Sequence, residues 1–206
     1  MKYQAKIISM RVLLIFVLLV LPLIQMHAVH ADVLNLKSKS LYHSKTQFEN
    51  QEGKKVSLSD LKGMPVVVAM LYTSCQMSCP LTMADLKAIE KGLSPSEKKN
   101  VKFAVFSFDS ENDTSGKLKS FSQKQNVDLS RWAFFHGSAK SIRELAALLG
   151  IKFKKLDSGD FDHSNIITIL DQVGVIAHQQ IGVRQNPDES IQTLKNLLNT
   201  KNQEKN

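Results

Sequence analysis

The sequence predicts an α/β fold, a central mixed β-sheet flanked by helices with a β-hairpin at its N-terminal end. Three observations carry this. Two continuous apolar runs, "PVVVAMLY" at 65–72 and "VKFAVFSF" at 101–108, have the composition of strands buried on both faces. Around them the apolar residues change to helical spacing, as at Leu86, Ile89 and Leu93. The chain then closes with a second hairpin and a last helix.

Taken in order, residues 32–42 read as a loose lead-in. "HSKTQFENQEGKKVSL" reads as the first hairpin, turning at Gln51-Glu52-Gly53. "SLSDLKG" is one helical turn closed by Gly63. After the 65–72 strand a helix begins near Cys79, with Pro80 suited to its first turn. A polar helix covers 114–125, and "RWAFFHG" is a short strand. "SAKSIRELAALLG" has a serine cap, helical periodicity and a terminal glycine. "NIITIL", "DQVG" and "VIAHQQIG" form strand, turn and strand. "NPDESIQTLKNLLN" is a helix opened by Pro187 and acidic residues. A buried strand that runs into a cysteine pair at the start of a helix is the thioredoxin-like arrangement, with the pair at the carboxyl end of a central strand.

The first 31 residues are expected to be a signal peptide. Lys2, Lys6 and Arg11 precede an apolar run of 13 residues at 12–24, and Val29 and Ala31 are small residues placed for cleavage after Ala31. The rival is an uncleaved anchor and membrane association through this segment, but 13 helical residues reach only about 20 Å of a core of roughly 30 Å. Either way the rest of the chain is expected outside the cytoplasm, in the periplasm or its equivalent. Residues 32–200 then form one domain and 201–206 a polar tail. The leader carries three positive and no negative residues, so cleavage lowers the formal charge from +8 to +5. The lysines are scattered, with no arginine-rich run and no aromatic-interleaved basic patch, which argues against nucleic acid as a partner.

The stretch "LYTSCQMSCPLT" holds both cysteines, Cys75 and Cys79. A disulfide is the ordinary use of two cysteines outside the cytoplasm. A loop this small, however, constrains the unfolded chain little, so a bridge here is a poor stability device. A thiol at a helix N-terminus meets unpaired N–H groups and the positive end of the dipole, which favours the thiolate. That form serves both disulfide exchange and the binding of soft metals: copper(I), zinc or iron–sulfur. Three residues separate the pair, where redox thioredoxins use two. Cys75 then lies one turn before Cys79 on the same side, and two sulfurs call for a third ligand.

"YTSCQMSCP" resembles the copper-binding motif of the Sco/SenC family of copper chaperones and cytochrome oxidase assembly proteins. "SFDSENDT", with Asp109 and Asp113, resembles that family's acidic segment after the next strand. "FDHSNIITILDQVG", with Asp162, His163, Asp171 and Gly174, resembles the segment around its copper-ligating histidine. The resemblance implies Cys75, Cys79 and His163 as ligands for copper, as Cu(I) and Cu(II). It also implies delivery to the dinuclear copper centre of a respiratory oxidase, whose copper-receiving subunit would be the partner. The chain departs from the family at Gln76-Met77-Ser78, where Pro-Asp is frequent, and at Thr168 and Gln172, where an aromatic and a proline are usual.

Other candidates are weighed against these. His136 follows the "WAFF" strand and is the alternative third ligand. His178 reads as structural, and His43 as a surface or core residue. Met77 offers a soft thioether between the thiols, although an exposed methionine is the commoner outcome. Asp162 is a candidate outer partner of His163. Asp109 and Asp113 either cap the next helix or face a partner. The competing function is a thiol–disulfide oxidoreductase acting on partner cysteines. Against it, the prolines at 22, 65, 80, 95 and 187 include none before the 164–170 strand, where such enzymes carry one facing the dithiol. A peroxiredoxin is weaker still, since Tyr72 and Gln76 stand where its threonine would precede the nucleophile.

Overall fold

The structure is a computed structural model that describes residues 39–203. The leader expected at 1–31 and the end of the polar tail lie outside the described residues.

Gln47–Asn50 (β1) and Lys55–Ser57 (β2) pair antiparallel around a turn at 51–54. Asn50 Oδ1 accepts from the backbone N–H of Glu52 and Lys54 at 3.0 and 2.9 Å, and Gly53 takes a φ of 76°, where a side chain would be strained. Leu58–Leu61 is a 3-10 turn opened by a Ser57/Asp60 capping box. Val66–Leu71 (β3) follows, and all six of its residues are buried. Next come the helices Ser78–Lys91 (α1) and Pro95–Lys98 (α2), strand Lys102–Ser107 (β4), helix Ser115–Gln125 (α3) and strand Trp132–Gly137 (β5). Helix Ala139–Leu148 (α4) precedes two short strands, Phe153–Lys155 (β6) and Phe161–His163 (β7). Ile166–Leu170 (β8), Ile176–Ile181 (β9) and helix Asp188–Gln203 (α5) complete the chain.

Seven strands form one sheet in the order β2-β1-β5-β4-β3-β8-β9. β3, β4 and β5 are parallel, and β1 and β8 run antiparallel to them on either side, so the sheet is mixed as expected. Phe103 stacks on Trp132 at 4.4 Å between ring centroids, and Phe106 on Phe135 at 4.7 Å, so the parallel centre is held by large fully buried rings. The parallel run puts the carboxyl ends of β3, β4 and β5 at one edge. The loops after Leu71 and Ser107 therefore meet there.

Two elements go beyond the sequence reading. α2 is capped by Ser94 and Glu97, a capping box present in "SPSE". Among the described residues β6 and β7 pair only with each other, in the register Phe153↔His163, Lys154↔Asp162 and Lys155↔Phe161. Three-residue strands carrying two lysines and an aspartate show no alternation long enough to detect. α5 also runs to Gln203, into the stretch expected to be a tail.

Candidate functional site

The loop between β3 and α1 is held from below. Asp113 accepts from the Thr73 N–H at 2.9 Å, and also from the hydroxyls of Thr73 and Ser107. Asp109 accepts from the N–H groups of Glu111 and Asn112 and from the Asn112 amide. Both carboxylates are buried, at 3% exposure. They are thus neither presented to a partner nor used as the helix cap, a role taken by Thr114. Asp113 in particular fixes the backbone two residues before Cys75.

Cys75 and Cys79 are free thiols in different surroundings. Cys79 is 1% exposed and Cys75 is half-buried at the mouth of a cleft. Burial alone would push the Cys75 pKa up. Hydrogen bonds from the Cys79 thiol and N–H, the Met77 N–H and the Ser78 hydroxyl outweigh it and lower it to about 7. Burial pushes the Cys79 thiol far up, and its hydrogen bond to Cys75 adds to this. The helix start thus favours one thiolate, on Cys75. Burial likewise pushes the Tyr72 phenol up to about 12. Its hydroxyl lies 3.3 Å from Asp160 Oδ1 and accepts from the Phe161 N–H, which ties the strand end to β7.

His163 reaches the same cleft from β7. It is the last residue of that strand, in a ribbon outside the main sheet. Its ring lies 4.8 Å from that of Phe108 and edge-on to Tyr72 at 6.3 Å, so two aromatics set its plane. Nδ1 is 3.3 Å from the Ser164 carbonyl and Nε2 is 3.3 Å from the Ser78 hydroxyl. Asp162 also lines this cleft but makes no hydrogen bond to the imidazole, whose outer partner is the Ser164 carbonyl instead.

The cleft, about 740 Å³, is lined by Tyr72, Cys75, Met77, Ser78, Leu156 and His163 among others, with Cys79 beneath it. Among the described residues no three His, Cys, Asp or Glu side chains are already gathered closely enough to hold an ion. Cys75 and His163 are instead bridged by the Ser78 hydroxyl, 3.7 Å from Cys75 Sγ. Two sulfurs and an imidazole are a soft set suited to copper.

The alternatives fall elsewhere. His136 does not line this cleft; its Nε2 is 3.0 Å from the Ser115 hydroxyl and 3.4 Å from Glu49. His178 lies on β9 opposite Ile169, and His43 ends the 3-10 turn Leu41–His43. Met77 is 84% exposed at the rim. The two departures near Asp171 carry structural bonds. Gln172 donates to the Leu197 carbonyl at 2.8 Å, and buried Thr168 accepts from Gln179 at 3.0 Å. Sequence reasoning gave Ser78 and Phe108 no role. The one signal for Ser78 was its place at a helix start between the cysteines.

The SCO1/SenC family profile matches residues 35–199. The SCO1 protein homolog of Bacillus subtilis (strain 168) is 31% identical over 147 residues, covering 70% of this chain and 76% of that protein. The crystal structure of a SCO1/SenC family lipoprotein from Bacillus anthracis str. Ames superposes with a TM-score of 0.68 at 31% identity, covering 74% of this chain and 92% of that one. Bradyrhizobium japonicum ScoI with copper bound shares the fold, with a TM-score of 0.64 at 22% identity over 74% of this chain and 96% of its own.

Proposed function

The chain belongs to the SCO1/SenC family, known for copper binding and cytochrome c oxidase assembly, and from that premise we propose that it is an extracytoplasmic copper carrier. Cys75, Cys79 and His163 hold the cargo, as Cu(I) or Cu(II). The recipient is the dinuclear copper centre of a respiratory oxidase, reached through its copper-receiving subunit. The observation that carries this is the meeting of Cys75 and His163 at one open cleft, with the second thiol directly beneath. A three-ligand site at a cleft mouth suits transfer, because a recipient's ligands can replace these one at a time. The apolar leader and the lipoprotein relative support a position outside the cytoplasm, held at or near the membrane. No helix among the described residues is long and apolar enough to cross a membrane.

Anaerobic titration of the reduced protein with Cu(I), and separately with Cu(II), tests the reading. One ion per chain is expected, with thiolate-to-copper absorption in the Cu(II) form. A reduced protein that takes up neither ion defeats it.

Thiol–disulfide exchange is the second reading, favoured by the Cys75 pKa of about 7 beside a second thiol. The Cys75 thiolate would attack a partner disulfide and release one partner thiol. Cys79 would then resolve the mixed disulfide, so that the partner is reduced to two thiols and this pair is oxidised to a disulfide. The same sulfurs serve both reactions, and an oxidised pair must be reduced before copper can load.

A further inference from the structure

We infer that the Ser78 hydroxyl is a positioning group that stands in for the ion between Cys75 and His163, and thereby sets how fast copper leaves. This rests on the copper reading above and adds a residue to it.

One oxygen touches both groups. Ser78 Oγ is 3.3 Å from His163 Nε2 and 3.7 Å from Cys75 Sγ. The other imidazole nitrogen is turned to the Ser164 carbonyl at 3.3 Å, which leaves Nε2 as the nitrogen for a metal. An ion held by both Nε2 and Cys75 Sγ would compete with the hydroxyl for those two atoms. Loading therefore breaks the Ser78 contacts, and release lets them form again.

The hydroxyl is covalently tied to the helix start, as a solvent water is not. Ser78 is the first residue of α1, and its carbonyl accepts from the Thr82 hydroxyl at 3.2 Å. Thr82 in turn lies 3.5 Å from Asn165 Oδ1, at the start of the segment that follows His163. The backbone that carries the hydroxyl is thus anchored between the thiol loop and the segment after His163 before any ion arrives. A water in its place would first have to be immobilised. The hydroxyl lowers the free energy of the metal-free form relative to the loaded one, as an internal competitor for two ligands.

The sign of the effect separates this role from others. A serine that only supported the fold, or that hydrogen-bonded to the loaded thiolate, would lose copper faster when removed. A competitor loses copper more slowly when removed. Losing these contacts is expected to slow release about three- to tenfold, the range of one modest hydrogen bond.

The experiment loads the reduced full chain with one equivalent of Cu(II) and mixes it with excess aminocarboxylate chelator. Decay of the thiolate-to-copper absorption is followed for wild type, Ser78→Ala, Ser78→Thr and Ser78→Val. The Thr/Val pair has nearly the same shape and differs in the hydroxyl, so it reads the effect even if the alanine variant folds poorly. Ala and Val are expected to release about three- to tenfold more slowly, Thr at the wild-type rate, all with the band unmoved. Ala and Val variants that release as fast as wild type or faster, or that fail to load, overturn the inference alone. A wild type that takes up no copper overturns the copper reading, and this inference with it.

Discussion

Two histidines at one end of the sheet are built alike and surrounded differently. Each presents Nε2 to the hydroxyl of the first residue of a helix: His163 to Ser78 at 3.3 Å, and His136 to Ser115 at 3.0 Å. Beyond Ser78 lies the Cys75 thiol; beyond Ser115 lies the Glu49 carboxylate. Hydrogen bonds from Ser115 and then His136 hold that carboxyl below its usual range, so it is an anion at neutral pH that saturates its neighbours. His136 is also pinned by register, directly opposite Glu49 in the β1–β5 pair. His163 ends a ribbon that pairs with no strand of the main sheet. An imidazole beside a serine is therefore no signature of a metal site. A soft, exchangeable group beyond the serine and a ribbon outside the main sheet behind the histidine distinguish the candidate ligand from the structural residue.

The strongest way to break the comparison is to remove a sulfur. Cys75→Ser and Cys79→Ser are each expected to weaken copper binding by more than about a hundredfold, beyond what losing an outer partner costs. Circular dichroism should stay native, because neither thiol closes a bridge that the fold depends on. Wild-type affinity in either variant, measured by competition with a chelator, would place the copper elsewhere.

Exchanging the two histidines is the direct test. His163→Ala should lose Cu(II) and bind Cu(I) about ten- to a hundredfold more weakly, while the dithiol stays reducible. His136→Ala should keep both affinities. The reverse pattern would make His136 the ligand.

Asp113→Ala addresses the support beneath the thiol loop. It leaves the Thr73 N–H and two hydroxyls without their buried acceptor, a loss of about 2–3 kcal/mol in urea unfolding. An unchanged midpoint would mean that water replaces the carboxylate.

The two thiols can be sharpened against each other by pH. Cys75 is protonated below about 7 and a thiolate above it. Its alkylation rate should climb through that pH and level off, while buried Cys79 stays slow well into the alkaline range. Peptide mapping after iodoacetamide treatment reads both sites at once, and equal rates would contradict the asymmetry.

The smallest effect is expected at the structural histidine. His136→Ala removes a hydrogen bond worth about 1 kcal/mol, which corresponds to a fall of about 2–4 °C in Tm for a domain of this size. A much larger fall would show that the hairpin depends on this contact.

The sequence by itself determined the elements whose causes are local. Val66–Leu71 is a strand because its apolar residues are contiguous and open with three β-branched valines, and α4 begins at a serine cap and stops before Gly150. The cysteine spacing, the residues around His163 and the order of the motifs likewise carried the resemblance to the SCO1/SenC family before any fold was known. Only the tertiary structure decided which groups meet. Ser78 and His163 lie 85 residues apart, and Thr73 and Asp113 lie 40 apart. No local periodicity encodes such pairs. The difference between Cys75 and Cys79 is of the same kind: their spacing is symmetric, but burial falls on one thiol and the hydrogen bonds that favour a thiolate converge on the other. The ribbon that carries His163 escaped notice because its strands are three residues long and polar. What orders it is packing of Phe153 and Phe161 against Phe108, and that contact exists only once the sheet has brought the end of β4 beneath it.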